Sequence, residues 1–107
     1  MIIIKRLPEF DRWINGHKDR VTRLRLETRL RKATLGNMGD IKPVGDSVFE
    51  MREHFGPGWR MYFVQRGNLI IVMLGGGDKS TQAADITRAQ LLASNFCLLY
   101  TSDAADE

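Results

Sequence analysis

VFEMREHFGPGWRMYFVQRGNLIIVMLGGG, residues 48–77, decides the fold. From Val48 to Phe55 the side chains alternate: Phe49, Met51 and Phe55 point one way, and Val48, Glu50, Arg52 and His54 the other. Gly56-Pro57-Gly58 supplies a turn, after which Trp59, Met61 and Phe63 alternate with Arg60, Tyr62 and Val64. This period of two, broken by turn residues, predicts a hairpin with one apolar and one mixed face. Arg66-Gly67-Asn68 is a second turn, and Leu69 to Leu74 is apolar on both faces, as in a central strand. The expectation is a three-stranded antiparallel meander with helices over at least part of its second face.

Upstream, Gly36, Asn37, Gly39, Asp40 and Pro43 mark a connecting loop. Before it, a helix is predicted from about Asp19 to Leu35. At 100° per residue Leu26, Leu30 and Ala33 share one stripe, while Val21, Leu24 and Leu35 fall nearly opposite, so this helix should touch apolar partners on two sides. Arg25, Arg29 and Lys32 line one polar strip between the stripes, and Arg20, Arg23 and Arg31 line the other. Phe10, Trp13 and Ile14 give a shorter helix that opens near Pro8 and stops at Gly16. Ile2 to Lys5 read as a short strand of β-branched residues. Downstream, Gly75-Gly76-Gly77 ends the last strand, and Asp78 or Ser80 can cap a helix carried by Ala83, Ala84, Ile86, Ala89, Leu91 and Leu92 to about Ala93. The order predicts an α+β domain: N-terminal strand, two-helix hairpin, antiparallel meander, C-terminal helix.

One domain accounts for 107 residues. Lys and Arg number 16 against 13 Asp and Glu, a net charge of +3. Residues 95–107 hold three of the acids and no cation, so residues 1–94 carry all 16 cations against 10 acids, or +6. The single Cys97 closes no intrachain disulfide, and no paired CxxC or HxxxH spacing points to a metal or other cofactor. No signal peptide or membrane span is legible, so the expected setting is cytoplasmic and away from membranes.

GGGDKST looks like a phosphate-binding loop, but Asp78 stands where the glycine before the lysine is required. A spatial constellation is more informative. If the meander pairs as read, Arg52 and His54 share a face with Arg60 and Tyr62, and Lys79 enters at the end of the third strand. Such a hollow of cationic groups suits a polyanion, since Arg forks onto phosphate oxygens. The alternative is a solvated face whose charges keep the sheet soluble. Histidine is the side chain whose unperturbed pKa, about 6.5, lies nearest neutrality, which makes His54 the candidate base on that face. Tyr62 and Trp59 could stack on bases or sit in the core, and Glu50 is placed to pair with Arg52 or Arg60. The Arg25, Arg29 and Lys32 strip is either a solvated face or an RNA contact.

FDRWINGHKDR (10–20), GNMGDIKPVGDSVFEMREHFGPGWRMYFVQRG (36–67) and LGGGDKSTQAADITRAQ (74–90) together resemble the phage-derived, HigB-like killer proteins of the RelE/ParE toxin superfamily. The likeness spans roughly residues 5–93. It implies a RelE-like toxin of a type II toxin-antitoxin system, neutralised by a helix-turn-helix antitoxin, that cuts messenger RNA on the ribosome without metal. The ribose 2′-hydroxyl would attack the adjacent phosphate. By motif position the resemblance puts Arg60 against the scissile phosphate and Lys79 at the basic position after the last strand, and Arg52 has a basic counterpart. The paired lysines of well-understood relatives are replaced by Val48 and Glu50, and their C-terminal tyrosine has no match, which leaves His54 and Tyr62 as the groups to supply base and acid. Two other functions stay open: a ParE-like DNA gyrase inhibitor, and a basic protein that only binds its antitoxin. The likeness ends near Ala93. CLLYTSDAADE resembles translated sequencing-adapter read-through, so residues 1–94 are expected to form the domain and 95–107 a non-native or disordered tail.

Overall fold

The computed structural model describes the backbone of residues 1–106 and the side chains of residues 1–95. The elements run β1 (Ile3–Arg6), α1 (Pro8–Asn15), α2 (Arg20–Thr34), β2 (Ile41–Gly45), β3 (Val48–Arg52), β4 (Arg60–Arg66), β5 (Ile70–Gly77), a 3₁₀ turn (Lys79–Thr81) and α3 (Gln82–Asp106). The domain is α+β. Its sheet has five strands in the order β1-β5-β4-β3-β2, with β1 parallel to β5 and the other neighbours antiparallel.

The helix boundaries follow local chemistry. Pro8 opens α1, where its missing N–H costs nothing. Asp19 caps α2 by accepting from the Val21 N–H, and Leu35 closes it. Arg6 ties β1 to both helices, donating to Asp11 at 2.6 Å and to Glu27 at 2.8 Å.

The sheet departs from the expected meander in two ways. Residues Ile41–Gly45, expected within a loop, form β2 and pair with β3 across a tight turn in which Asp46 and Ser47 both have positive φ. Pro43 concealed this strand in the sequence, and its outermost position in the sheet explains why a proline is tolerated there. The N-terminal strand is not isolated, because β1 lies beside β5 with Ile4 opposite Ile71. The helical pair is also looser than a hairpin: α1 packs mainly against β5 and only lightly against α2.

Two cores result. One lies under α1 and α2 and joins Phe10, Ile14, Leu26, Leu30, Met51, Met61, Phe63 and Met73. The other lies under α3 and joins Val48, Tyr62, Val64, Val72, Leu74, Ala89 and Ala93. A helix layer on each face accounts for the apolar run of β5. In the β4–β5 ladder Tyr62 opposes Gly75 and Phe63 opposes Met73, so Leu74 is an extra residue on β5. Such a bulge switches the side-chain alternation. Leu74 therefore faces α3, while Gly76, two residues on, faces Trp13 of α1. A Cβ on Gly76 would stand 2.5 Å from the Trp13 ring, so only glycine lets α1 seat here.

The apolar spacing predicts an end for the last helix at about Ala93, whereas α3 continues to Asp106. Of the expected tail over 95–107, all but Asn95 falls outside the residues whose side chains are described. Among the described residues no helix is long and apolar enough to cross a membrane.

Candidate functional site

β3 and β4 carry the charged residues of the mixed face. These residues share one face, as the alternation predicts, and the register sets Arg52 opposite Arg60 and Glu50 opposite Tyr62. Burial then divides the set. The first turns of α3 roof the middle of this face, and Arg60, Glu50 and Tyr62 are at most 2% exposed. Arg60 Nε stands 3.8 Å from Glu50 Oε1, an ion pair without a hydrogen bond. The Tyr62 hydroxyl donates to Glu50 Oε2 at 3.1 Å, and Gln82 Nε2 of α3 donates to the same oxygen at 2.8 Å. Burial, reinforced by the Glu50 charge, pushes the Tyr62 phenol well above its ordinary range. Tyr62 keeps its proton at neutral pH.

This corrects the picture of one open hollow. In the position observed, neither Arg60 nor Tyr62 reaches a polyanion outside the protein, and Tyr62 presents no ring for stacking. Arg60 braces the chain instead: its Nη1 donates to the carbonyls of Glu53 and Trp59, each at 3.0 Å, on either side of the Gly56-Pro57-Gly58 turn.

The turn so braced carries the open part of the set. Glu53, His54, Gly56, Pro57, Gly58 and Lys79 line a cavity of about 200 Å³. Gly58, at φ +81°, lies under the Lys79 stem; a Cβ there would meet Lys79 Cγ and Cδ at 3.0 Å. Lys79 follows Asp78, whose carboxylate caps the 3₁₀ turn by accepting from the Ser80 N–H at 2.8 Å. The lysine of the false phosphate-loop match is thus held beside His54 by an acid that the phosphate loop would forbid. His54 Nε2 lies 2.7 Å from Asp40 Oδ2, and Arg52 Nε lies 3.8 Å from the same oxygen. Asp40 was missed in the sequence because it sits in a glycine-rich connection 14 residues from His54. Only the pairing of β2 with β3 brings the two together.

The basic strip of α2 also divides. Arg29 turns inward, donating to the carbonyls of Met38, Asp40 and Arg52 and to the Glu53 carboxylate, so it clamps α2 to the strand ends. Its guanidinium has no free edge for RNA. Arg25 lies with its guanidinium 3.6 Å from the Phe55 ring centroid, and it shares a groove with Val21, Leu24 and Lys32. Val21, Leu24 and Leu35, the second apolar stripe of α2, are 53–71% exposed. His17 stands edge-on between Trp13 and Trp59, at 4.8 and 4.6 Å. Burial first, then the Arg23 charge, lowers its pKa. Among the described residues no three His, Cys, Asp or Glu side chains converge as a metal-binding group.

An uncharacterized protein of Haemophilus influenzae is 39% identical over 97 residues, covering 91% of this chain and 98% of its own length. No family model matches the chain. No solved structure matches it either.

Proposed function

We propose that this chain, which belongs to the family of the uncharacterized Haemophilus influenzae protein, is a RelE-like toxin of a type II toxin-antitoxin system. It acts in the cytoplasm as a ribosome-dependent endoribonuclease on messenger RNA. The observation that supports this reading is the shared cavity of His54 and Lys79, with Arg52 beside it. An imidazole able to take a proton next to cations able to face a phosphate is the equipment of metal-independent RNA cleavage. His54 takes the 2′-hydroxyl proton. Lys79 and Arg52 face the charge that develops on phosphate, and Arg60 holds the turn from below. The groove of Val21, Leu24 and Arg25 is the surface offered to a helix-turn-helix antitoxin.

Induction without antitoxin should arrest translation and produce new 5′ ends inside reading frames, read by primer extension on total RNA. His54→Ala should slow cleavage roughly 10²–10⁴-fold, the usual contribution of a general base. DNA damage with intact messages would overturn the nuclease reading. It would support the second one, a gyrase-binding poison, which the burial of Arg60 favours, whereas induction with no growth arrest would point to a protein that only binds its antitoxin.

A further inference from the structure

Asp40 is held more firmly than its exposed carboxylate suggests. Its carbonyl accepts from the Arg52 N–H and from Arg29 Nη2, both at 2.9 Å, which fixes the backbone against β3 and α2. From that anchor the carboxylate reaches His54 Nε2 at 2.7 Å. A neutral imidazole carries one proton, and which nitrogen holds it follows from the hydrogen bond that the other makes. The Asp40 carboxyl is held below its ordinary range, first by the hydrogen bond from His54 and also by the charge of Arg52. It is ionised at neutral pH and can only accept. The shared proton therefore sits on Nε2, and Nδ1 keeps its lone pair. The charged groups around the ring are Asp40 and Arg52 on one side, and Glu53 and Lys79 along the cavity.

We propose that Asp40 is the positioning residue of this site: it holds His54 in the Nε2–H tautomer, so that Nδ1 is the atom that accepts the substrate proton. The substrate part rests on the nuclease reading. In that step the 2′-hydroxyl proton passes to Nδ1, the 2′-oxygen bonds to phosphorus, and the bond from phosphorus to the 5′-oxygen breaks. The leaving 5′-oxygen takes a proton from water, giving a 2′,3′-cyclic phosphate and a 5′-hydroxyl.

Long-range ¹H–¹⁵N correlation on the full chain reads the tautomer with no substrate present. The wild type should show protonated Nε2 and bare Nδ1, and Asp40→Asn should show a mixture. On ribosomes, Asp40→Asn should lower the cleavage rate roughly 10–100-fold at unchanged KM, as loss of an orienting partner commonly does. Asp40→Glu should restore part of the rate. A wild-type ring protonated on Nδ1, or an Asp40→Asn variant with wild-type rate, overturns the proposal. A chain that cuts no message at all overturns the nuclease reading, and the tautomer measurement then decides the pairing by itself.

Discussion

Two clusters of similar side chains lie a few residues apart and live under different physics. Glu50, Arg60 and Tyr62 sit beneath α3, where water is excluded and each charge depends on its neighbour. Asp40, His54 and Lys79 sit at the end of the sheet, with side chains of Asp40 and His54 about half or more exposed. The same strand alternation that groups Arg52, His54, Arg60 and Tyr62 on one face says nothing about where along that face a helix will lie. A charge on a covered stretch becomes scaffold, because removing it strands its partner in a medium of low dielectric. On an uncovered stretch the charge is free to meet a ligand, and removing it costs the fold little.

Arg60→Met tests the buried side of this contrast most severely. It leaves Glu50 without a compensating charge, and the expected loss is about 3–5 kcal/mol of stability, read by urea denaturation. Adding Glu50→Gln should recover part of that loss. Wild-type stability combined with lost cleavage would instead place Arg60 on the substrate.

Tyr62→Phe should cost about 1 kcal/mol, since one hydrogen bond to Glu50 goes while the ring stays. Its signature lies at high pH. Because the folded phenol binds its proton more tightly than the unfolded one, this contribution is intact below the unfolded value of about 10 and is lost as pH rises past it. Melting curves of the wild type should therefore fall more steeply above that pH than those of Tyr62→Phe.

Lys79→Met is the smallest expected change in stability, within about 0.5 kcal/mol, because the side chain is exposed and its stem still rests on Gly58. Its effect belongs to ligand binding: the variant should bind single-stranded RNA more weakly, with a shallower dependence on salt. A large loss of stability would move Lys79 into the scaffold with Arg60 and erase the distinction.

Much of this was legible beforehand. Asp19 and Leu35 bounded α2, and Arg52, Glu50, Arg60 and Tyr62 share one face of β3 and β4 as the alternation required; of the two apolar stripes of α2, however, only one is buried, and Val21, Leu24 and Leu35 stay exposed against the expectation of apolar partners on both sides. Those features depend on neighbours within a turn of helix or one hairpin. Three features were not legible. Pro43 hid β2, the parallel seat of β1 beside β5 spans 67 residues of chain between Ile3 and Ile70, and Asp40 meets His54 only once β2 has paired. The outcome for the candidate site was divided in the same way, with His54, Lys79 and Arg52 at the surface and Arg60, Tyr62 and Arg29 drawn inside.

By itself, then, the sequence determined every element but β2, their order, and which side chains share a face, since periodicity and capping act over a few residues. The tertiary structure alone decided which of the charges on that face are buried. Desolvation is set by what packs on top, and what packs on Glu50, the acid that Arg60 pairs with, is a helix whose first residue, Gln82, lies 32 positions further along the chain.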